Sequence, residues 1–100
     1  MTAKPPMISV GMPVYNGEQW VAAAVESILN QTYRDFELVI SDNNSSDATD
    51  EICRRYAETD SRIKYIRQPV NIGASANYSF VFRSARAPHF NPDPPDELPI

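Results

Sequence analysis

The sequence contains little of what marks several common protein classes. Cys53 is its only cysteine, so no internal disulfide can form. Thirteen Asp and Glu residues outnumber nine Lys and Arg residues, and the basic side chains make no footprint for nucleic acid. No apolar run approaches the roughly 18 residues of a membrane span, and the N-terminus has no secretory signal pattern. These absences exclude nucleic acid as the expected partner. They favour a reduced, cytoplasmic setting, in which peripheral attachment to a membrane stays open.

What is present is typical of a globular domain. Hydrophobic residues make up 42% of the chain and charged residues 22%, and 100 residues allow one small domain or one lobe of a larger one. Three strand-like segments alternate with three segments of helical spacing. The predicted strands are Met7–Pro13, Phe36–Ser41 and Arg62–Gln68. The predicted helices run from Glu18 to Gln31, from Ser45 or Ser46 to Asp60, and from Ala74 to before Pro88. This order predicts a three-layer, Rossmann-like α/β fold with a parallel sheet.

Periodicity also predicts positions within these elements. The third strand is the most polar and is expected near an edge of the sheet. Helix three has apolar residues at 74, 78, 81, 82 and 85, which are expected to form its buried face. Cys53 falls in the apolar pattern of helix two and is expected to be a buried, inert thiol.

Three loops follow the carboxyl ends of the predicted strands: residues 13–17, 42–46 and 69–73. They are the loops richest in Asn, Asp, Gly and Pro. In open parallel sheets, ligands bind beyond these strand ends. A ligand site at this edge is therefore expected.

The segment 87–100 breaks the pattern, since it holds five of the nine prolines and no Lys or Arg. Proline excludes a helix or a central strand there. We therefore divide the chain into a folded lobe, residues 1–86, and an acidic, proline-rich tail, residues 87–100, which is expected to be partly disordered.

Four motifs in order resemble the start of family 2 glycosyltransferases, the inverting enzymes of the GT-A fold. They read P-V-Y-N from Pro13, S-I-L-N-Q-T-Y from Ser27 followed by F-E-L, D-N-N-S-S-D-A-T from Asp42, and N-I-G-A-S-A-N from Asn71. The resemblance covers about residues 7–86. It implies that this lobe binds the nucleotide of a UDP-, GDP- or dTDP-sugar donor, and that the whole enzyme transfers the sugar to an acceptor hydroxyl.

The resemblance implies a set of nucleotide-binding residues: Pro13, Val14, Tyr15, Asn16, Asp42, Asn43, Asn71 and Gly73. Tyr15 offers a flat face on which a base can stack. Asp42 can accept a hydrogen bond from a ring N–H. Asn43 stands where the family usually has a second Asp, which leaves the identity of the donor open.

Each of these residues also has a purely structural interpretation. Tyr15 can be a half-buried aromatic at a strand end, and Asp42 can cap helix two, although Ser45 and Ser46 stand closer to that position. Asn71 can cap helix three, and Gly73 can serve an ordinary turn.

Other parts of the family pattern are missing. No D-x-D metal motif follows helix three, because Asp93 and Asp96 stand too far apart and His89 is expected to be exposed. A divalent metal, Mn or Mg, is expected for the full enzyme, with ligands outside this chain. No catalytic base is found, so the isolated chain is expected to be inactive. A fourth strand would normally cover strand one. Without it, we expect a dimer joined near strand one, or an edge covered by residues 87–100.

Two rival functions would use a similar alternating order of strands and helices. A dinucleotide-binding oxidoreductase should show G-x-G-x-x-G after strand one, but Pro13 occupies that turn. A non-catalytic nucleotide-binding or interaction module stays open. The sugar, the acceptor and the pathway cannot be predicted.

Overall fold

The computed structural model describes residues 8–84 and 89–92, in which four strands alternate with three helices. The elements are β1 (Ile8–Val14), α1 (Val21–Leu29), β2 (Phe36–Asp42), α2 (Thr49–Thr59), β3 (Ile63–Arg67), α3 (Ala74–Ser84) and β4 (His89–Pro92). The predicted alternating order is confirmed; α1 and α2 begin three or more residues later than predicted, and α3 begins at Ala74 as predicted. Across the described ranges, no helix combines the length and apolarity needed to cross a membrane.

The strands form one parallel sheet in the order β3-β2-β1-β4. β2 is central, and all seven of its residues are buried. β3 lies at an edge, as its polarity predicted. The three-layer, Rossmann-like α/β fold is confirmed.

One face of the sheet carries the main apolar core, which joins alternate residues of β1 and β2 to α1 and α2. Its buried members are Val10, Met12, Val14, Val21, Val25, Ile28, Phe36, Leu38, Ile40, Cys53 and Ile63. Full burial of such a side chain contributes about 1.5–3 kcal/mol. Cys53 is fully buried in this cluster, as predicted.

The opposite face of the sheet packs against α3 through a polar contact. Asn77 is 2% exposed, and its side chain hydrogen-bonds Ser41 of β2. The predicted apolar face of α3 was wrong in part: Val81 is buried, but Tyr78 and Phe82 are 44% and 59% exposed. The buried side of α3 is instead formed by Asn77 and Val81, because Ser41 presents a hydroxyl and a carbonyl that the Asn77 amide can satisfy.

The edge of β1 is partly covered by β4. His89–Pro92 pairs in parallel with β1, with Ile8 opposite His89 and Gly11 opposite Pro92. These four residues were predicted to belong to a tail and instead form a short edge strand, in which Pro92 is the last residue. Covering of β1 by residues 87–100 is therefore confirmed for this stretch. The remainder of the predicted tail lies outside the described residues, and the dimer near strand one stays a prediction.

Candidate functional site

The carboxyl ends of three strands stand in one row of the sheet. Val14 is opposite Asp42, and Asp42 is opposite Arg67. The connections that follow these residues therefore start at the same edge. We call residues 13–17, 42–46 and 69–73 together the loop rim.

The first and second segments of the loop rim are hydrogen-bonded in both directions. The backbone N–H of Asn43 donates to the Val14 carbonyl (2.8 Å), and that of Asn16 donates to Ser45 Oγ (2.7 Å). In return, the Ser46 N–H donates to Asn16 Oδ1 (2.8 Å). Asn16 adopts a left-handed backbone, with φ of 49°, a conformation that Asn tolerates better than most residues. This explains an Asn at the strand-to-helix turn.

The start of α2 adds two more links between these segments. Glu18 Oε1 accepts from the Ala48 N–H (2.8 Å), and Thr49 Oγ1 accepts from the Gly17 N–H (2.8 Å). The predicted capping by Ser45 or Ser46 was wrong: Ala48 is the N-cap residue, and the Ser45 hydroxyl already faces Asn16. Although desolvation acts in the opposite direction, hydrogen bonds from Thr49 and the Glu18 N–H lower the pKa of Asp47.

The second and third segments are joined through the side chain of Asn43. Its Oδ1 accepts from the Ile72 N–H (2.8 Å), and its Nδ2 donates to Asn71 Oδ1 (3.0 Å). Asn71 Oδ1 also accepts from the N–H of Gly73, whose φ of +91° lies in the region that favours glycine. The three segments thus converge, as the order of strands predicted.

The predicted site residues divide into an exposed and a buried group. Tyr15 is 50% exposed, and Asn16, Asn71 and Gly73 are exposed beside it on the loop rim. Pro13 is half-buried at the end of β1. The buried members are Val14, Asp42 and Asn43, at 2%, 0% and 3% exposure.

The burial of Asp42 gives it partners within the protein. Its Oδ1 accepts from the Ser45 N–H (2.9 Å), and its Oδ2 accepts from the Tyr65 hydroxyl (2.6 Å). Arg67 Nη1 lies 3.5 Å from Oδ2. In this arrangement the carboxylate shapes the loop, and its contact with a nucleotide base stays a prediction.

Charge around Asp42 is balanced by two arginines. Tyr65 also donates toward Asp50 Oδ1 (2.6 Å), which Arg54 contacts at 2.9 Å. Burial, together with hydrogen bonds to Asp42 and Asp50, raises the pKa of the Tyr65 hydroxyl. Although desolvation opposes it, hydrogen bonds from Tyr65 and Arg54 lower the pKa of Asp50. The tyrosine therefore stays protonated as a donor.

The carboxylates of Asp42 and Asp50 are poorly suited to bind a metal ion, because arginine and tyrosine donors already contact them. In residues 8–84 and 89–92 no three His, Cys, Asp or Glu side chains are grouped so as to hold a metal ion. Asp93, Asp96 and the His89 side chain lie outside the described residues.

Sequence reasoning missed the residues that hold the loop rim together, chiefly Ser45, Thr49, Tyr65 and Arg67. Ser45 and Thr49 stand inside the quoted D-N-N-S-S-D-A-T motif, which is the one signal that pointed to them. Tyr65 and Arg67 carry no local motif. Their role depends on the register that places Arg67 opposite Asp42.

Two solved structures share this fold. The mannosyltransferase PcManGT from Pyrobaculum calidifontis, solved with GDP-Man and Mn²⁺, superposes with a TM-score of 0.73 at 25% identity, over 83% of this chain and 25% of that chain. S. aureus TarS 1-349, solved with UDP, superposes with a TM-score of 0.80 at 24% identity, over 89% of this chain and 27% of that chain. The alternating order and the parallel sheet therefore define the N-terminal part of a GT-A glycosyltransferase fold.

The sequence comparisons name the family. The model of glycosyl transferase family 2 matches residues 9–90, and the chain belongs to this family. Glycosyltransferase GlyA of Streptococcus pneumoniae is 45% identical over 69 residues, which are 69% of this chain and 10% of that protein. The chain spans between 10% and 29% of the length of eight curated relatives that it matches.

Proposed function

We propose that the loop rim binds the nucleoside diphosphate part of a nucleotide-sugar donor, within an inverting glycosyltransferase. The observation that carries this proposal is the convergence of three loops at one sheet edge, with Tyr15 exposed beside them. Two structural neighbours support it, since one was solved with GDP-Man and Mn²⁺ and the other with UDP.

Each exposed group has a chemical task in this proposal. The Tyr15 ring stacks on the base, and stacking of this kind is worth about 1–3 kcal/mol per base. Gly73 leaves open space at its Cα, with no heavy atom within 4 Å of an added Cβ, so a phosphate can approach the backbone. The N-terminus of α3 follows this glycine directly, and the free backbone N–H groups at a helix N-terminus favour an anion such as phosphate. The buried residues Asp42 and Asn43 hold these groups in place.

Sugar transfer itself needs more than the described residues. In an inverting displacement, a carboxylate base removes the proton of the acceptor hydroxyl, which attacks the anomeric carbon as the nucleoside diphosphate leaves. A divalent metal such as Mn²⁺ would stabilise the departing diphosphate in the whole enzyme, with ligands elsewhere. We therefore expect donor binding without transfer by the 100-residue chain.

Calorimetric titration with UDP, GDP and dTDP, with and without Mn²⁺, tests the proposal. Tyr15→Ala should weaken binding by about 5- to 150-fold, the equivalent of one lost stacking contact. Tyr33→Ala is the matched control. Tyr33 is 43% exposed, but it precedes β2 and so lies toward the amino ends of the strands, away from the loop rim. Failure of all three nucleotides to bind, or equal losses in both variants, would contradict the proposal.

A further inference from the structure

Arg67, the last residue of β3, reaches into the second segment of the loop rim. Its Nη2 donates to Asn44 Oδ1 (2.9 Å) and to the Ser45 carbonyl (3.0 Å). Its Nη1 lies 3.5 Å from Asp42 Oδ2. One guanidinium therefore contacts three residues of this segment, at a side-chain exposure of 32%.

The conformation that Arg67 contacts is not one the chain adopts readily by itself. Asn44 has a left-handed backbone, with φ of 65°. Non-glycine residues enter this region rarely, and although Asn does so more readily than most, such a turn persists only where its surroundings hold it. The bonds to the Asn44 side chain and to the next carbonyl stabilise this turn directly.

Arg67 also lies close to two carboxylates beneath the loop, those of Asp42 and Asp50. The Tyr65 hydroxyl lies 2.6 Å from both Asp42 Oδ2 and Asp50 Oδ1, but it has a single proton and can satisfy one carboxylate at a time. Arg67 Nη1 lies 3.8 Å from Asp50 Oδ1 as well, so it adds a positive charge between the two acids.

The other two segments of the loop rim depend on this one. Ser45 Oγ accepts from the Asn16 N–H, and Asn43 Oδ1 accepts from the Ile72 N–H. A shift of the 42–45 turn would therefore move Tyr15 on one side and Gly73 on the other.

We infer that Arg67 is a positioning residue, whose guanidinium fixes the 42–45 turn and through it the relative placement of all three segments of the loop rim. Its effect on a nucleotide rests on the proposed function above. The planar fork of arginine is required, because a lysine ammonium can keep the charge near Asp42 and Asp50 but cannot bond both Asn44 Oδ1 and the Ser45 carbonyl in the same geometry.

The test compares Arg67→Lys with two control variants. Arg54→Met removes a positive charge from the same cluster without touching the 42–45 turn, since Arg54 pairs with Asp50. Arg62→Met removes an arginine that precedes β3 and pairs with Asp60. Each protein is titrated with UDP, unfolded in urea, and followed by amide hydrogen exchange without nucleotide.

Two readouts separate positioning from general stability. In Arg67→Lys we expect UDP affinity to fall about tenfold, as for one lost charge-assisted hydrogen bond, at a urea midpoint close to that of the wild type. The N–H groups of Gly17, Asn43 and Ser45, each hydrogen-bonded within or next to the loop rim, should exchange faster. The Leu38 and Ile40 amides in β2 should be unchanged, and both controls should behave as wild type in affinity and exchange.

Three other results would contradict either the inference about Arg67 or the proposed function. Wild-type affinity and exchange in Arg67→Lys would overturn the inference. Equal acceleration of loop and β2 amides would overturn it too, because the arginine would then contribute only to overall stability. If the wild type binds none of UDP, GDP and dTDP, the proposed function fails, and the exchange data alone decide whether Arg67 positions the segments.

Discussion

The contact between α3 and the sheet should be among the most sensitive in the molecule, although it is polar. Asn77 Oδ1 accepts from Ser41 Oγ (2.6 Å), and Asn77 Nδ2 donates to the Ser41 carbonyl (3.0 Å). Gln68 Nε2 also donates to Ser41 Oγ (3.1 Å). Asn77→Ala removes both bonds of the amide and leaves the Ser41 hydroxyl without its acceptor.

The expected cost follows from the burial of this pair. Two lost hydrogen bonds contribute about 1 kcal/mol each, and a buried polar group left without a partner adds about 1–3 kcal/mol. We expect Asn77→Ala to lower the free energy of unfolding by about 3–5 kcal/mol. This is a large share of the total of about 5–15 kcal/mol that is typical of small domains.

Urea unfolding measures the effect, with an unchanged m-value as the condition for comparison. Ser79→Ala on the same helix is the control, because Ser79 is exposed. A double-mutant cycle with Ser41→Ala should give a coupling of about 0.5–3 kcal/mol. A loss below about 0.5 kcal/mol for Asn77→Ala, or strictly additive effects, would refute the reasoning.

Three further predictions concern other parts of the chain. Burial raises the pKa of the Cys53 thiol to about 12, so iodoacetamide at neutral pH should label it only after unfolding, and rapid labelling of the native protein would contradict its burial. The Arg62 side chain, hydrogen-bonded to Asp60, holds the pKa of that carboxyl below its ordinary value of 3.8, against the effect of burial. This lowered pKa stabilises the fold above pH 3.8, and the stabilisation is lost as pH falls through the lower folded pKa. The melting temperatures of wild type and Asp60→Asn should therefore converge in acid. A difference between them that stays constant with pH would contradict this. An added Cβ at Gly17 would lie 2.3 Å from the Trp20 ring, so Gly17→Ala should destabilise the fold by about 1–3 kcal/mol and shift the emission of the single tryptophan. Gly73→Ala, where space is open but φ is +91°, should leave that emission unchanged.

Hydrophobic periodicity was sufficient to predict the alternating fold, because β1, β2, α1 and α2 bury continuous apolar faces. It failed for α3, where the buried contact is the amide of Asn77 against Ser41. It also missed β4, since the proline content of residues 87–100 indicated a tail. A strand of four residues at an edge tolerates a proline at its end, and nothing in the local pattern marks it.

For the candidate site, the positions of the loops could be predicted from the sequence. Which of their side chains are exposed and which are buried could not. Strand ends in a parallel sheet share an edge, so Tyr15, Asp42 and Gly73 were expected near one another. Which side chain faces outward depends on hydrogen bonds between loops about 30 residues apart, such as that from the Asn16 N–H to Ser45 Oγ. The contact between Arg67 and the 42–45 turn depends on the register of β3 against β2, which no local sequence pattern indicates.

The most direct test of the central claim is a map of amide chemical-shift changes as UDP is added to the ¹⁵N-labelled chain. We predict that shifts cluster at the N–H groups of residues 15–17, 43–46 and 71–73, three stretches far apart in sequence. Shifts confined to one of these stretches, or centred elsewhere on the sheet or helices, would contradict binding at the loop rim.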